Sequence, residues 1–343
     1  MTKASTSSVS VVILNWNGQK FLEKFLPSVI AHSGLAKIIV ADNDSSDDSV
    51  DYLKQNFPTI ELIINQENGG YAKGYNDALK KVDSKYYVLL NSDIEVTKDW
   101  LNPLVELMDA DDNIAACQPK LRAYHNQEEF EYAGASGGYI DKWGYPFCRG
   151  RVFGHLENDH DQYADAVEVF WASGAAMFVR ASAYWQVDGL DEDFFAHMEE
   201  IDLCWRLKNL GYKIMVEPKS VVYHVGGGTL PKNSPRKTYL NFRNNFYLLY
   251  KNLPKDSFLK VFAFRLIWDG IAGIKFLAEG HWRDTLAVIK AHFHFYGNIR
   301  KNKKKRKALS QNHVSQIYQK NIVFEHFVRR KNRFSDLDKK DFS

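Results

Sequence analysis

Four short apolar runs, each closing on a cluster of small polar side chains, constrain this chain more than any other feature. Residues 8–14 (SVSVVIL), 37–41 (KIIVA), 60–65 and 86–90 read as strands, and the first two are continuous and β-branched, as a parallel strand covered on both faces requires. Helical patterns over 20–31, 49–56 and 75–81 fall between them, and another over 100–109 follows. This alternation predicts an α/β fold with an open, mostly parallel sheet flanked by helices. In such sheets ligands bind beyond the carboxyl ends of the strands, which is where the polar clusters lie.

The rest of the chain is patterned differently. Residues 124–163 are aromatic, glycine-rich and aperiodic, as expected of loops that receive an acceptor. Regular structure is expected again over 167–180, and a helix over 239–250 closes a main domain of residues 1–250. Residues 251–343 are expected to form a helical, basic C-terminal extension. Within it, 258–278 is rich in Phe, Leu, Ile and Trp, but Lys260, Arg265, Asp269 and Lys275 interrupt it, which argues against a spanning helix. It suits a helix on a membrane surface or one docked on the protein. The run Arg300–Lys307 concentrates positive charge and calls for an anionic partner, whereas the chain-wide net charge of +3 argues against nucleic acid. Cys117, Cys148 and Cys204 lack metal or disulfide spacing and read as buried thiols. With no secretory pattern at the N-terminus, the expected place is the cytoplasm, peripherally on the inner face of the membrane.

Chemistry gathers at the strand ends. Asp42, Asp44 and Asp93 come from different ends that converge on one crevice, and carboxylates brought together there need a hard cation, Mg²⁺ or Mn²⁺, shared with substrate phosphates. Singly, Asp42 and Asp93 also suit turns and caps. Asn68-Gly69-Gly70 with Lys73 precedes a helix and could approach phosphates, but the stretch matches neither a Walker loop nor the GxGxxG spacing. His224 ends a strand that opens into Gly226-Gly227-Gly228, so its imidazole could complete a metal site beneath a closing loop. Glu199, Glu200 and Asp202 crowd the start of a helix expected near Ile201, with Leu203, Leu207 and Leu210 on its buried stripe. A carboxylate there could deprotonate a hydroxyl; an Asp202–Arg206 pair at i,i+4 is the structural alternative. Trp171 and Gly174 lie on a strand of small residues that suits close packing or the close approach of a ligand, and Trp143, Tyr145 and Trp171 suit either a core or a stacking surface.

Taken in order, Asn15-Trp16-Asn17-Gly18, Asp42-Asn43-Asp44-Ser45-Ser46, Asn68-Gly69-Gly70, Asn91-Ser92-Asp93 and Glu199-Glu200-Ile201-Asp202-Leu203 with Arg206 resemble the motifs of the family 2 glycosyltransferases. These have the GT-A fold, and the likeness is narrower to their bacterial rhamnosyltransferase-like branch. It covers about residues 9–250, with His224 in the family's position. The resemblance implies inverting transfer of a sugar from a UDP- or dTDP-sugar, dTDP-rhamnose among them, to a hydroxyl of a glycan or lipid-linked acceptor in surface polysaccharide assembly. Asn15, Asn17, Asp42, Asp44, Asn68, Gly70, Lys73, Asn91 and Ser92 would line the donor site, with Asp42 on the pyrimidine edge. Asp93 and His224 would hold the metal, Glu200 or Glu199 would be the base, and Trp171, Gly174 and Asp202 would face the acceptor. The sequence departs from the family in two places: Asn91-Ser92-Asp93 stands where Asp-x-Asp is usual, and Glu200 where the base is Asp.

Other chemistries fit less well. A nucleotide-sugar pyrophosphorylase would need a basic glycine loop after the first strand, and Asn15-Trp16-Asn17-Gly18 is not one. Adjacent Glu199 and Glu200 cannot flank a sugar as a hydrolase pair must. The altered motifs leave a catalytically degenerate nucleotide-sugar-binding or scaffolding module as the non-enzymatic alternative.

Overall fold

The computed structural model describes residues 8–34, 36–226 and 234–343. Strands and helices alternate at first as the apolar runs predict: β1 (Val9–Asn15), α1 (Gln19–His32), β2 (Lys37–Asp42), α2 (Ser49–Asn56), β3 (Glu61–Ile64), α3 (Gly70–Leu79) and β4 (Tyr86–Asn91). Then come β5 (Ile94–Val96), α4 (Leu101–Ala110), β6 (Ile114–Ala123), β7 (Gly138–Asp141), β8 (Pro146–Cys148), β9 (Arg151–Val152), β10 (His155–Leu156), β11 (Val167–Val169) and β12 (Ala176–Arg180). The chain continues through α5 (Ala181–Gln186), α6 (Glu199–Asn209), β13 (Lys213–His224), α7 (Pro235–Asn252), α8 (Lys255–Ala278), α9 (Trp282–Gly297), α10 (Ile299–Ala308), β14 (Ile317–Tyr318) and α11 (Ile322–Phe327).

The main sheet runs β11-β13-β6-β12-β4-β1-β2-β3, with β5 on β13. β3, β2, β1 and β4 are parallel, and antiparallel β12 joins β4 to the parallel pair β6–β13. Two apolar clusters form the core, and the larger extends to Tyr318, Ile322 and Leu337 near the C-terminus.

Residues 124–163 are more ordered than their composition suggests. β7 to β10 join β14 in a second sheet, β10-β9-β8-β7-β14. These strands span only two to four residues each, too few to show alternation in sequence. Trp171 belongs to their packing rather than to an acceptor site. It is buried, its Nε1 donates to the Tyr139 carbonyl at 2.9 Å, and its ring lies so close to Gly138 that a Cβ there would clash. Trp143 and Tyr145 are likewise covered: Trp143 stacks on Phe264 at 3.7 Å, and Arg265 lies 4.2 Å from the Tyr145 ring centre.

Both covering residues belong to α8, whose polarity is inverted. Its buried face carries Arg265 and Asp269, paired to each other at 3.0 Å, while Leu259, Ile267 and Ile274 are 77%, 65% and 70% exposed. Among the described residues no helix is long and apolar enough to cross a membrane. Three residues of the basic run on α10 are used inside the fold. Lys301 and Lys305 bind Asp191 and Asp193, and Arg306 donates to the carbonyls of Tyr250 and Leu253 at 2.6 and 2.7 Å. All three cysteines are free and buried.

Candidate active site

The carboxyl ends of β1, β2 and β3 are laced together by asparagines. Asn15 Nδ2 donates to Asp42 Oδ1 at 3.0 Å, Asn43 Nδ2 to Asn68 Oδ1 at 2.9 Å, and Asn65 Nδ2 to Asn43 Oδ1 at 3.1 Å. Asn68 Oδ1 also accepts from the Gly70 amide, so the glycine pair that reads as loop in sequence forms the first turn of α3. Gly70 is required for proximity and conformation: its φ is 78°, and a Cβ would stand 2.5 Å from the Phe195 carbonyl oxygen. Asp42 is buried and accepts from Asn15 Nδ2, the Ser45 amide and Ser45 Oγ, leaving room for one further donor on Oδ2. Asn17 braces the same turn, its Oδ1 accepting from the amides of Ser46 and Asp47 at 2.7 and 3.2 Å. Ser92 faces this corner, its Oγ 3.5 Å from where a Cβ on Gly18 would lie.

Two expected donor-site residues stand elsewhere. Asp44 is exposed at the turn apex with φ 62°, so Asp42, Asp44 and Asp93 do not share a cation. Lys73 is bonded to Asp77 on the next turn of α3, with Glu67 at 3.5 Å, and its charge is neutralised there instead of facing a phosphate.

At the ends of β4 and β13, His224 Nε2 lies 3.1 Å from Asp93 Oδ1 and 3.5 Å from Asn91 Nδ2. Glu131, which sequence reasoning missed, stands behind the ring with Oε1 3.2 Å from Nδ1, close enough to pair although not aligned as a hydrogen bond. Burial disfavours the imidazolium, but Glu131 and Asp93 outweigh it and push His224 up to about 10. Asp93 is held below the usual carboxylate range by His224 despite the opposing effect of burial. Among the described residues no three His, Cys, Asp or Glu side chains are grouped to hold a metal. A carboxylate and an imidazole converging on one point, with a second carboxylate behind the imidazole, still fit a divalent cation that would displace the Nε2 proton of His224 and take its remaining ligands from phosphates and water. Gly227 and Gly228 lie outside the described residues.

Glu199 and Glu200 open α6, two residues earlier than the helix was expected to start. Leu203 and Leu207 are buried as predicted, but Leu210 follows the helix end and is 44% exposed. Three residues before the helix are left-handed without being glycine: Phe195 (φ 64°), His197 (72°) and Met198 (72°). They are held from two sides. The Tyr71 amide donates to the Phe195 carbonyl at 2.7 Å, and Asn244 Nδ2, from α7, lies 2.7–3.0 Å from the carbonyls of Phe194, Ala196 and His197. The polar triplet Arg243-Asn244-Asn245 inside a helical pattern is the sequence signal that could have flagged this clamp.

Burial outweighs the helix N-terminus for both carboxylates. Glu199 is raised well above its ordinary value by burial and by Glu200, while burial lifts Glu200 to about 7 against the backbone donors that favour its ionised form. Oε2 of each makes no hydrogen bond in the structure, and Glu200 is the more accessible of the two. Gly174 lies beside it: a Cβ there would stand 3.6 Å from Glu200 Cβ and 2.7 Å from the Tyr71 hydroxyl. Asp202 is not an acceptor contact. It is fully buried, bonded to Arg206 and Lys251 at 2.8 Å and to Asn252 at 2.9 Å.

A half-parallel sheet thus carries a polar crevice at its strand ends, with a carboxylate–imidazole pair at one side and a buried glutamate pair at the other. Residues 10–187, just over half of the chain, match Glycosyl transferase family 2, and the chain belongs to that family. It is similar to N-acetylglucosaminyl-diphospho-decaprenol L-rhamnosyltransferase of Mycobacterium tuberculosis, with 24% identity over 64% of this chain and 76% of that protein. It is also similar to rhamnosyltransferase WbbL of Escherichia coli, with 24% identity over 63% and 83%. GalNAc-T7 with UDP, GalNAc and Mn²⁺ shares the fold at a TM-score of 0.57 and 17% identity, over 74% of this chain and 49% of that one. Mannosyltransferase PcManGT from Pyrobaculum calidifontis, with GDP-Man and Mn²⁺, does so at 0.52 and 15%, over 89% and 85%. The protein is therefore a rhamnosyltransferase-like family 2 glycosyltransferase.

Proposed function

We propose that the protein transfers a sugar, with inversion, from a UDP- or dTDP-sugar to a hydroxyl of a lipid-linked glycan during surface polysaccharide assembly at the inner face of the membrane. Rhamnose is the sugar favoured by the rhamnosyltransferases among its relatives. The observation that carries the proposal is Glu200: a half-buried carboxylate beside Gly174, lifted to about 7, with one buried oxygen that no hydrogen bond claims. A base so tuned is half ionised near neutral pH and can still take a proton efficiently.

Glu200 takes the proton of the acceptor hydroxyl. The acceptor oxygen bonds to the anomeric carbon as the bond from that carbon to the diphosphate breaks, and the nucleoside diphosphate leaves from the opposite face. Asn15, Asp42, Asn43 and Asn68 form the wall against which the nucleotide is oriented. Gly174 keeps the acceptor side beside Glu200 free of bulk. Asp93 and His224 would hold a divalent cation, and when bound it supplies positive charge to the leaving diphosphate. Burial and the neighbouring Glu200 raise Glu199 well above its ordinary value, which disfavours a second negative charge beside the base.

Glu200→Gln tests the proposal. Donor binding by calorimetry should be retained while transfer falls at least a thousandfold. A variant with wild-type transfer removes Glu200 as base, and a wild-type protein that binds neither UDP nor dTDP sinks the transferase reading.

A further inference from the structure

The outer side of α8 and α9 is apolar where a soluble surface is charged. On α9, Trp282, Leu286, Ile289, Phe293 and Tyr296 recur at helical spacing, all exposed, while Ala287, Val288, Ala291 and Phe295 face the protein. α8 adds Leu259, Ile267, Ile274 and Leu277. Contiguous exposed apolar surface of this kind marks an interaction site.

Two cavities flank the α9 ridge. One, of about 560 Å³, lies between α7 and α9 and gathers Arg236, Arg243, Arg283 and Lys290, with Phe195 and Leu286 in its walls. None of its four cations is within ion-pair distance of a carboxylate among the described residues: Arg236, Arg283 and Lys290 are exposed, and the buried Arg243 donates to Asn244 Oδ1 at 2.9 Å and to the carbonyls of Asp193 and Phe194 at 3.0 and 2.8 Å. Each also lies over an aromatic face: Arg236 over Phe195, Arg243 over Tyr239, Arg283 over Trp282 and Lys290 over Tyr239, at 5.4–5.6 Å. The other cavity, of about 290 Å³, is an apolar groove between α8 and α9, with Leu266, Gly270, Ile289 and Phe293 in its walls. Leu286 of the first and Ile289 and Phe293 of the second form the ridge between them.

We propose that the two cavities together bind the isoprenoid diphosphate of a lipid-linked acceptor, the diphosphate among the four cations and the hydrocarbon chain across the ridge into the groove. This rests on the transferase reading above and adds where its acceptor is held. Four unneutralised cations match the charge of a diphosphate better than the single phosphate of a phospholipid. An apolar groove beside them has no use for a nucleotide. Phe195 ties the cavity to the reaction: it lines the cationic chamber, and its backbone belongs to the strained loop that carries Glu199 and Glu200.

The test uses the full chain and farnesyl diphosphate in nonionic micelles, with inorganic pyrophosphate, phosphatidylglycerol vesicles and UDP or dTDP as comparisons. Wild type should bind farnesyl diphosphate at least tenfold more tightly than pyrophosphate. Arg283→Glu with Lys290→Glu should weaken it at least tenfold, leave the nucleotide Kd and the Tm unchanged, and be rescued by Arg283→Lys with Lys290→Arg. An unchanged Kd in the double variant overturns the proposal. Equal binding of pyrophosphate makes the chamber a free-phosphate site, and equal dependence of phosphatidylglycerol binding on both residues makes it a general anionic surface; either result refutes the assignment. A nucleotide Kd that rises in step places the donor diphosphate there instead. Absence of nucleotide binding in the wild type counts against the transferase reading and not against the lipid site, which farnesyl diphosphate reports separately.

Discussion

Asn244→Ala should disable the base without touching a substrate. The loop before α6 holds Phe195, His197 and Met198 in the left-handed region, where an L-residue other than glycine costs on the order of 1 kcal/mol or more, so the stretch stores about 3 kcal/mol. The Asn244 amide opposes that strain through its contacts with three loop carbonyls, and its side chain is fully buried. An amide has two hydrogens for three acceptors, so its net contribution is about 2 kcal/mol, and removal strands buried carbonyls at about 1–3 kcal/mol. The clamp and the strain are therefore of similar size.

Once Asn244 is gone, the loop should relax and Glu200, a few residues on, should leave its productive position. The expected loss in kcat is roughly tenfold to a hundredfold, equivalent to about 1.4–2.8 kcal/mol. Donor KM should hold, because Asn15, Asp42 and Asn68 are untouched. Steady-state transfer at saturating donor gives kcat, and urea unfolding should fall by about 2–3 kcal/mol. Met198→Gly in the same background should restore about 1 kcal/mol, since glycine adopts φ 72° freely. Wild-type kcat in a destabilised Asn244→Ala protein would refute the idea that this clamp positions the base.

Three further outcomes follow from the site and its support. Glu200 accepts a proton only when ionised, so the transfer rate should rise with pH through about 7; a midpoint below 5 would contradict its burial. Its folded-state pKa is raised, so the stability it confers is fully present below about 4.5 and is lost as pH rises through about 7; Glu200→Gln should raise Tm over wild type at pH 8 and hardly change it at pH 4. Asp93→Ala and His224→Ala should each abolish the enhancement of donor binding by Mn²⁺ in calorimetry, and unchanged enhancement in both would remove them as ligands. Arg265→Met leaves buried Asp269 with only His292, 3.4 Å away, and should cost about 3–5 kcal/mol in urea unfolding, with Asp269→Leu recovering most of it; a fully stable single variant would show the pair to be dispensable.

The strand ends were legible because the polar clusters close apolar runs long enough to be recognised, and Asn15, Asp42, Asn68 and Asp93 stand where that pattern put them. Residues that act across large separations were not. Glu131 reaches His224 because the segment after β6 folds back, the Glu131 amide donating to the Leu121 carbonyl at 3.0 Å, next to β13, and Asn244 reaches the base loop across 47 residues. Lys73, Trp171 and Asp202 were over-read for one shared reason: each has the right type for a ligand contact, but Asp77, the Tyr139 carbonyl, and Arg206 with Lys251 and Asn252 satisfy them internally. Local sequence gives the side chain and not whether a partner has already claimed it.

Periodicity has the same limit in α8, where it marks two faces without saying which medium each meets. Burying Arg265 and Asp269 while exposing Leu259, Ile267 and Ile274 is unfavourable in water on both counts, since charges lose solvation and apolar area stays wet at about 25 cal/mol per Å². The arrangement becomes favourable when the outer face meets hydrocarbon. α7 then connects that face to the chemistry. Its Asn244 holds the base loop, while Phe246, two residues on, stacks on Phe295 of α9 at 5.2 Å and packs on Phe262 of α8 at 5.6 Å. One helix thus carries both contacts, so the seating of α8 and α9 and the support from which Glu200 is aimed are set together.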